Sequence, residues 1–282
     1  MAVAASLVED RGFEQVEGVV TYLVDTGVRP VSYNYDPPPG VPQRTGKYEE
    51  HRVPVWNGRL AAERFSLDRQ GFELSRHRTA VADFYDPEEV ERVYYAEVEQ
   101  LLKQATGAEK ILTFDHTLRV GPARQRKGLR EPVRRAHNDY TEKSGPQRVR
   151  DLLPPEEAEE RLKRRFAIIN TWRPIRGPVE EAPLALCDAR SIAPRDLVAT
   201  DLLYPDRTGE VYSLAFNPAH RWVYFPLMQP DEVVFIKCYD SEKDGRARFA
   251  AHSAFDDPTG PRLPAPRESI ETRSLVFFPA GA

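Results

Sequence analysis

Apolar and polar positions alternate in short runs along most of the chain, the period-two signature of strands. Val19-Val20-Thr21-Tyr22-Leu23-Val24 is the first such run, β-branched and aromatic. Residues 29–43 follow, rich in Pro and Tyr, and Pro37-Pro38-Pro39-Gly40 blocks regular structure there, so an extended arm is expected. Residues 48–53 predict a short strand, 54–59 a turn and 67–74 a small hairpin. The period then changes: Val90, Val93, Tyr94, Val98, Leu101 and Leu102 fall on one helical face. Asp86 is its expected cap, Pro87 its first helical residue and Glu89 its capping-box partner, with Gly107 at the end. That helix is expected to pack along the outside of a sheet.

Strand patterning resumes at residues 111–120 and, after a second short helix over 154–165, dominates the rest of the chain. Runs at 166–173, 185–188, 198–203, 211–216, 222–225, 232–239, 249–253 and 269–278 are separated by Pro and Asp turns. Many short strands at regular spacing predict a mainly β fold with flanking helices, a sandwich or jelly roll. No internal repeat or linker divides the chain, so residues 1–282 are expected to be a single domain. Within it, 1–110 would supply an arm and a supporting helix, and 111–278 the core.

Composition narrows the function classes. With 25 Pro in 282 residues, a helical bundle is disfavoured. The net charge of −4 gives no basic field for nucleic acid or an anionic membrane. The basic stretch 121–135, with Arg124, Arg126, Lys127, Arg130, Arg134 and Arg135, lacks interleaved aromatics and is expected to be a mobile solvated loop. Cys187 and Cys238 match no metal spacing and no disulfide framework, which fits a reduced, cytoplasmic protein. The apolar start at residues 1–8 runs at once into Glu9, Asp10 and Arg11, unlike a signal peptide, and no run is long enough to span a membrane. The arm is expected either to fold over its own barrel or to reach a second subunit of a homodimer.

Two stretches carry candidate chemistry. In Ala136-His137-Asn138-Asp139 the histidine and the carboxylate are two apart, so an extended backbone points both to one side. Far downstream, Phe249-Ala250-Ala251-His252-Ser253 places a second histidine on an apolar strand. Two histidines and one carboxylate are the ligand set of a facial iron(II) site. His51, His77, His116 and His220 have no such companion and are expected to be ordinary core or surface residues. On the last strand Arg267, Ser269, Glu271 and Arg273 share a face, and Arg267 with Ser269 suits a carboxylate, through a two-pronged guanidinium and a hydroxyl.

The order His-x-Asp, distal His, Arg-x-Ser resembles the iron(II)- and 2-oxoglutarate-dependent oxygenases, whose fold is a double-stranded β-helix, a cupin-like jelly roll. More narrowly, four stretches resemble the hydroxylase/desaturase family of microbial secondary-metabolite clusters. They are Asn170-Thr171-Trp172-Arg173-Pro174, His220-Arg221-Trp222-Val223-Tyr224-Phe225-Pro226, Cys238-Tyr239-Asp240-Ser241 and His252-Ser253-Ala254-Phe255-Asp256-Asp257-Pro258. That family is related to the cephalosporin 7-alpha-hydroxylase chain and gibberellin desaturase, and includes aziridine-forming enzymes. The resemblance covers roughly residues 110–278.

It implies that His137, Asp139 and His252 hold Fe(II), and that Arg267, with Ser269, holds the distal carboxylate of 2-oxoglutarate, O2 being the other co-substrate. The spacing from His252 to Arg267 is longer than in many such enzymes; Arg262 would fit the shorter spacing, and Arg273 is a third candidate. Tyr224 is a further co-substrate candidate, and Asn170, Trp172, Arg173 and Arg119 are candidates for a small-molecule substrate. The implied chemistry is oxidation of an unactivated C–H bond, by hydroxylation, desaturation or ring closure, on a substrate that an amino acid could provide. A non-oxidative cupin-like isomerase or zinc hydrolase could use the same three ligands, but it would leave Arg267 and Ser269 without a role. A binding module without metal is the third reading.

Overall fold

The computed structural model describes residues 15–122 and 129–281. The apolar start at residues 1–8, and Arg124, Arg126 and Lys127 of the basic stretch, lie outside the described residues. Four strands come early: β1 (Gln15–Leu23), β2 (Val31–Tyr33), β3 (Tyr48–Asn57) and β4 (Phe72–Arg76). Helix α1 (Tyr95–Thr106), β5 (Lys110–Val120) and β6 (His137–Asn138) follow. Next are helices α2 (Ser144–Leu152) and α3 (Pro155–Leu162), then β7 (Phe166–Pro174), β8 (Leu184–Cys187) and β9 (Leu197–Leu203). The chain ends on β10 (Thr208–Leu214), β11 (Trp222–Tyr224), β12 (Glu232–Asp240), β13 (His252–Ala254) and β14 (Glu268–Phe277).

Among the described residues these strands form two sheets. Nine run in the order β1-β3-β11-β8-β13-β6-β10-β9-β2, and five in the order β4-β12-β7-β14-β5. The strips β11-β8-β13-β6 and β12-β7-β14-β5 face each other as the two halves of a jelly roll. Between them lies one core, which includes Phe166, Ile168, Trp172, Leu184, Leu186, Ile236 and Leu275. A second core packs Val20, Tyr22 and Val55 of β1 and β3 against Ala185, Cys187, Trp222, Tyr224 and Phe255. A third lies behind the five-stranded sheet, where Val98 and Leu102 of α1 cover Ala167, Ile169, Phe235 and Val276. The expected placement of α1 outside a sheet is therefore observed.

Local chemistry accounts for the helix boundaries. Asp86 accepts from the Glu88 N–H at 3.0 Å with Pro87 in the first turn, and Gly107 ends α1 at φ +68°. Glu89 is not a capping-box partner; its carboxylate instead accepts from the N–H groups of Ala82 and Asp83. The run between cap and α1 includes a π-helical turn, Val90–Tyr94.

Other expectations are corrected by long-range pairing. Residues 67–74 are not a hairpin: after a turn, β4 pairs with β12, far along the chain. Strand β3 continues through Pro54, which is tolerated because β11 pairs with β3 only from Val55 onward. The arm folds on its own chain, with β2 beside β9 and Arg29 binding Asp201 and Glu210. Helix α2 was not expected at all. No helix among the described residues is long and apolar enough to cross a membrane.

Candidate metal centre

The two histidines meet because they are cross-strand partners: His252 on β13 pairs directly with His137 on β6. Directly paired residues project to the same side of a sheet. His252 also pairs with Leu186, a residue of the core between the sheets, so both imidazoles face the barrel interior. Their ring centroids are 4.5 Å apart. Asp139, just past the end of β6, brings an oxygen to 3.4 Å from His137 Nε2. One ligand atom from each of His137, Asp139 and His252 lies within 4.8 Å of the other two. Side-chain exposure is 19% for His137 and 13% for Asp139 against 5% for His252, so the approach from solvent is on the His137 side.

Each ligand is oriented from behind. His137 Nδ1 donates to the Arg135 carbonyl at 2.8 Å, which leaves Nε2 as the lone pair facing inward. His252 Nδ1 points at the Ala250 carbonyl, 3.4 Å away. Asp139 Oδ2 accepts from Asn170 Nδ2 at 2.8 Å and from Arg273 Nε at 3.0 Å. Burial works to raise the Asp139 carboxyl, but the Arg273 charge and the His137 contact outweigh it and hold the group well below the usual carboxylate range. Burial, then the neighbouring His137, lowers His252 and keeps it neutral, the form that binds metal.

The opposite wall comes from β14 and its neighbours. Register pairs Ser269 with Arg119 and Pro174, Glu271 with Trp172, and Arg273 with Asn170. Ser269, Glu271 and Arg273 therefore share the inner face with Trp172, Asn170 and Arg119. Arg273 is committed to carboxylates: Asp139, Asp115 at 3.0 Å and Glu271 at 3.8 Å. Arg267 is different. It is buried, its Nη1 donates to the Ala182 carbonyl, its guanidinium lies 5.6 Å from the Trp172 ring centroid, and its Nε has no partner. Burial, reinforced by the charge of Arg119, pushes it down to about 9. The Ser269 hydroxyl beside it is also buried and unpartnered. Buried polar groups of this kind are costly unless something completes them. Arg262 is exposed in the loop before β14.

Two expected site residues are placed elsewhere, and a third is already engaged. Tyr224 pairs with Ala185 and packs edge-on to Phe255 in the second core, on the sheet face opposite to the histidines. Arg173 alternates with Trp172 and points out of the barrel, where it donates to the carbonyls of His77 and Pro230 and lies over the rings of Phe84 and Tyr94. Asn170 does face the site, but its amide is taken by Asp139 and Glu271 rather than left for a substrate. Trp172 and Arg119 remain on the inner wall. The other four histidines stay outside the triad: His51 bonds Glu49, His116 bonds Tyr95, His220 bonds Asp196 and His77 meets Arg173. Alternation on the last strand groups Glu271 and Arg273 with Ser269, but their contacts with Asn170 and Asp139 depend on the fold.

Comparison with known proteins adds an independent line. Residues 20–277 match a family model described as an oxidoreductase/YMDC permease-like domain. The chain is 36% identical over 258 residues to the hydroxylase/desaturase efuI of Hormonema carpetanum, covering 82% of this chain and 85% of that protein. It is 33% identical over 259 residues to the Fe(II)/2-oxoglutarate-dependent dioxygenase nvfI of Aspergillus novofumigatus, covering 87% and 90%. A solved structure of the iron and alpha-ketoglutarate-dependent endoperoxidase NvfI superposes with a TM-score of 0.86 at 30% identity, covering 94% of this chain and 98% of that one.

Proposed function

The chain belongs to the hydroxylase/desaturase family of Fe(II)- and 2-oxoglutarate-dependent dioxygenases, and from that premise we propose the roles of its site residues. As a member it is an oxidoreductase that uses Fe(II), 2-oxoglutarate and O2 on a small molecule, in the manner of enzymes of fungal secondary metabolism. In our reading His137 Nε2, His252 Nε2 and Asp139 Oδ1 hold the iron. The observation that carries it is the convergence of one ligand atom from each of the three residues within 4.8 Å. Two imidazoles and one carboxylate oxygen match the donor preference of iron(II) and leave half of an octahedral shell open.

Arg267 and Ser269 would hold the distal carboxylate of 2-oxoglutarate. The support is chemical: among the described residues, a buried guanidinium with no carboxylate partner and a free Nε, beside a buried unpartnered hydroxyl. Arg273 is spoken for by Asp139 and Asp115, and Arg262 is exposed, so neither competes for that role. When bound, iron with 2-oxoglutarate and O2 supplies the oxidising power to remove hydrogen from an unactivated C–H bond. The protein residues do the placing. Arg135 and Ala250 carbonyls aim the imidazoles, Arg273 and Asn170 aim Asp139, and Trp172 with Arg119 would form the inner wall against which co-substrate and substrate are seated. A non-oxidative isomerase or hydrolase is not favoured, since its chemistry gives Arg267 and Ser269 nothing to bind. We further propose one folding unit and a cytoplasmic location; two buried, unbridged cysteines support the latter.

The test is anaerobic iron titration with succinate detection. The protein should bind one ferrous ion per chain and convert 2-oxoglutarate to succinate only with iron and O2 present. His137→Ala, Asp139→Ala and His252→Ala should each lose stoichiometric uptake; full uptake by any one of them sinks that ligand.

A further inference from the structure

We propose that Asn170 is a positioning residue whose amide, locked by Glu271 on one side, fixes Asp139 as a one-oxygen metal ligand. The inference rests on the ligand assignment above and deepens it, from how Asp139 is aimed to how many of its oxygens reach the ion. Asn170 sits on β7 directly across from Arg273 on β14. Its Nδ2 donates to Asp139 Oδ2 at 2.8 Å and to Glu271 Oε1 at 3.0 Å. Arg273 Nε gives Oδ2 a second donor at 3.0 Å. One oxygen of Asp139, Oδ2, is therefore held by two donors, and the other, Oδ1, is the atom next to His137 Nε2.

The amide cannot turn over without loss. A flip would aim its carbonyl oxygen at two carboxylates, and both Asn170 and Glu271 are buried. The arrangement even tolerates a buried, unpartnered Asn170 Oδ1 to keep the NH2 group on the carboxylates. Glu271 is itself held by Arg273, whose Nη2 lies 3.8 Å away. The consequence is a matter of coordination positions. A carboxylate bound through one oxygen uses one position and, with two imidazoles, leaves three for small molecules; bound through both, it takes one of those three. Without the Asn170 amide, Oδ2 is free to rotate onto the ion and to contest a position that 2-oxoglutarate needs.

The experiment uses cobalt(II) as the probe, which avoids oxidation, with Asn170→Leu as the near-isosteric variant. Thermal melts establish that the variant is folded. Protein labelled with carbon-13 aspartate gives a metal-minus-apo infrared difference spectrum. The separation between the antisymmetric and symmetric carboxylate stretches is wide for one-oxygen ligation and narrow for two-oxygen ligation. The expected result is a wide separation in the parent protein, a narrowed one in the variant, and 2-oxoglutarate affinity weaker by about 10-fold, the lower end of the range for lost outer partners of metal ligands. An unchanged separation in the folded variant overturns the proposal, whichever way the affinity moves. If Asn170→Leu does not fold, Asn170→Ala is judged by the same criterion. Failure of the parent protein to bind one cobalt per chain would count against the ligand assignment instead, so the two failures are distinguishable.

Discussion

Arg267 combines an expense in stability with a use in binding. A buried guanidinium whose nearest charges include Arg119 is an unfavourable thing to fold around, and its depression to about 9 expresses that cost. A carboxylate placed against it stabilises the charged form, so binding and protonation are linked. The sign follows: co-substrate affinity is full below about 9, where the guanidinium of the free protein is charged, and is lost as pH rises through that value. Titration calorimetry with 2-oxoglutarate from pH 7 to 10 should show this loss. In Arg267→Met the affinity at pH 7 should fall by about 2 kcal/mol or more, roughly 30-fold, and the dependence near pH 9 should vanish. The same variant without ligand should melt at a higher temperature, by about 1 kcal/mol of added stability, because an unpaired buried charge is removed. A lower melting temperature with unchanged affinity would remove Arg267 from the site.

At the scale of elements, the site depends on β13 staying in place beside β6, and Gly71 helps to hold it. Gly71 lies at φ +87°, its carbonyl accepts from the Lys237 N–H, and a Cβ built there would come 2.8 Å from the Ala250 Cβ. Ala250 is the residue whose carbonyl faces His252 Nδ1. Gly71→Ala is therefore expected to lower stability by about 1–3 kcal/mol and to weaken metal binding along with it. Urea melts read beside metal titrations check both; a variant as stable as its parent would remove the strain argument. Strand patterning also shows what was legible. On β14 the polar Ser269, Glu271 and Arg273 alternate with Ile270 and Thr272, so their shared face could be read directly. On β7 every residue is buried, since α1 covers one face and the barrel core the other. Alternation there groups Asn170 with Trp172 but cannot say which group points inward, and Arg173 was misplaced for that reason. Tyr224 was misplaced likewise, because β11 is buried on both faces. Helix α2 was hidden by Gly145-Pro146, which look like a break but fall in its first turn, where proline is tolerated.

For the molecule as a whole, the count and spacing of strands were enough to predict a sandwich or jelly roll, and the family resemblance singled out His137, Asp139 and His252, whose ligand atoms the fold brings together. The partnership of the first hundred residues with the rest was not legible, because it rests on pairings such as β3 with β11 and β4 with β12, which no local pattern encodes. Those strands complete both sheets and close the second core, so they are structural members more than an appendage. A chain starting at residue 110 would bare the edges of β11 and β12, and exposed edges of this kind promote association. It is expected to be aggregated or unfolded, which size-exclusion chromatography and circular dichroism would show; a monomeric, folded, metal-binding fragment would mean that the barrel stands alone.

The direct pairing of His252 with His137 has one more consequence, for how such chains can tolerate insertions and deletions. One residue added between Ala250 and His252 would shift the phase of a strand only three residues long and turn the imidazole to the outer face. Residues added between Phe255 and Arg267 would only lengthen a surface loop, because β14 takes its register from β5 and β7. The distance in sequence from the distal histidine to the arginine is thus free to drift, while the phase of each strand is not.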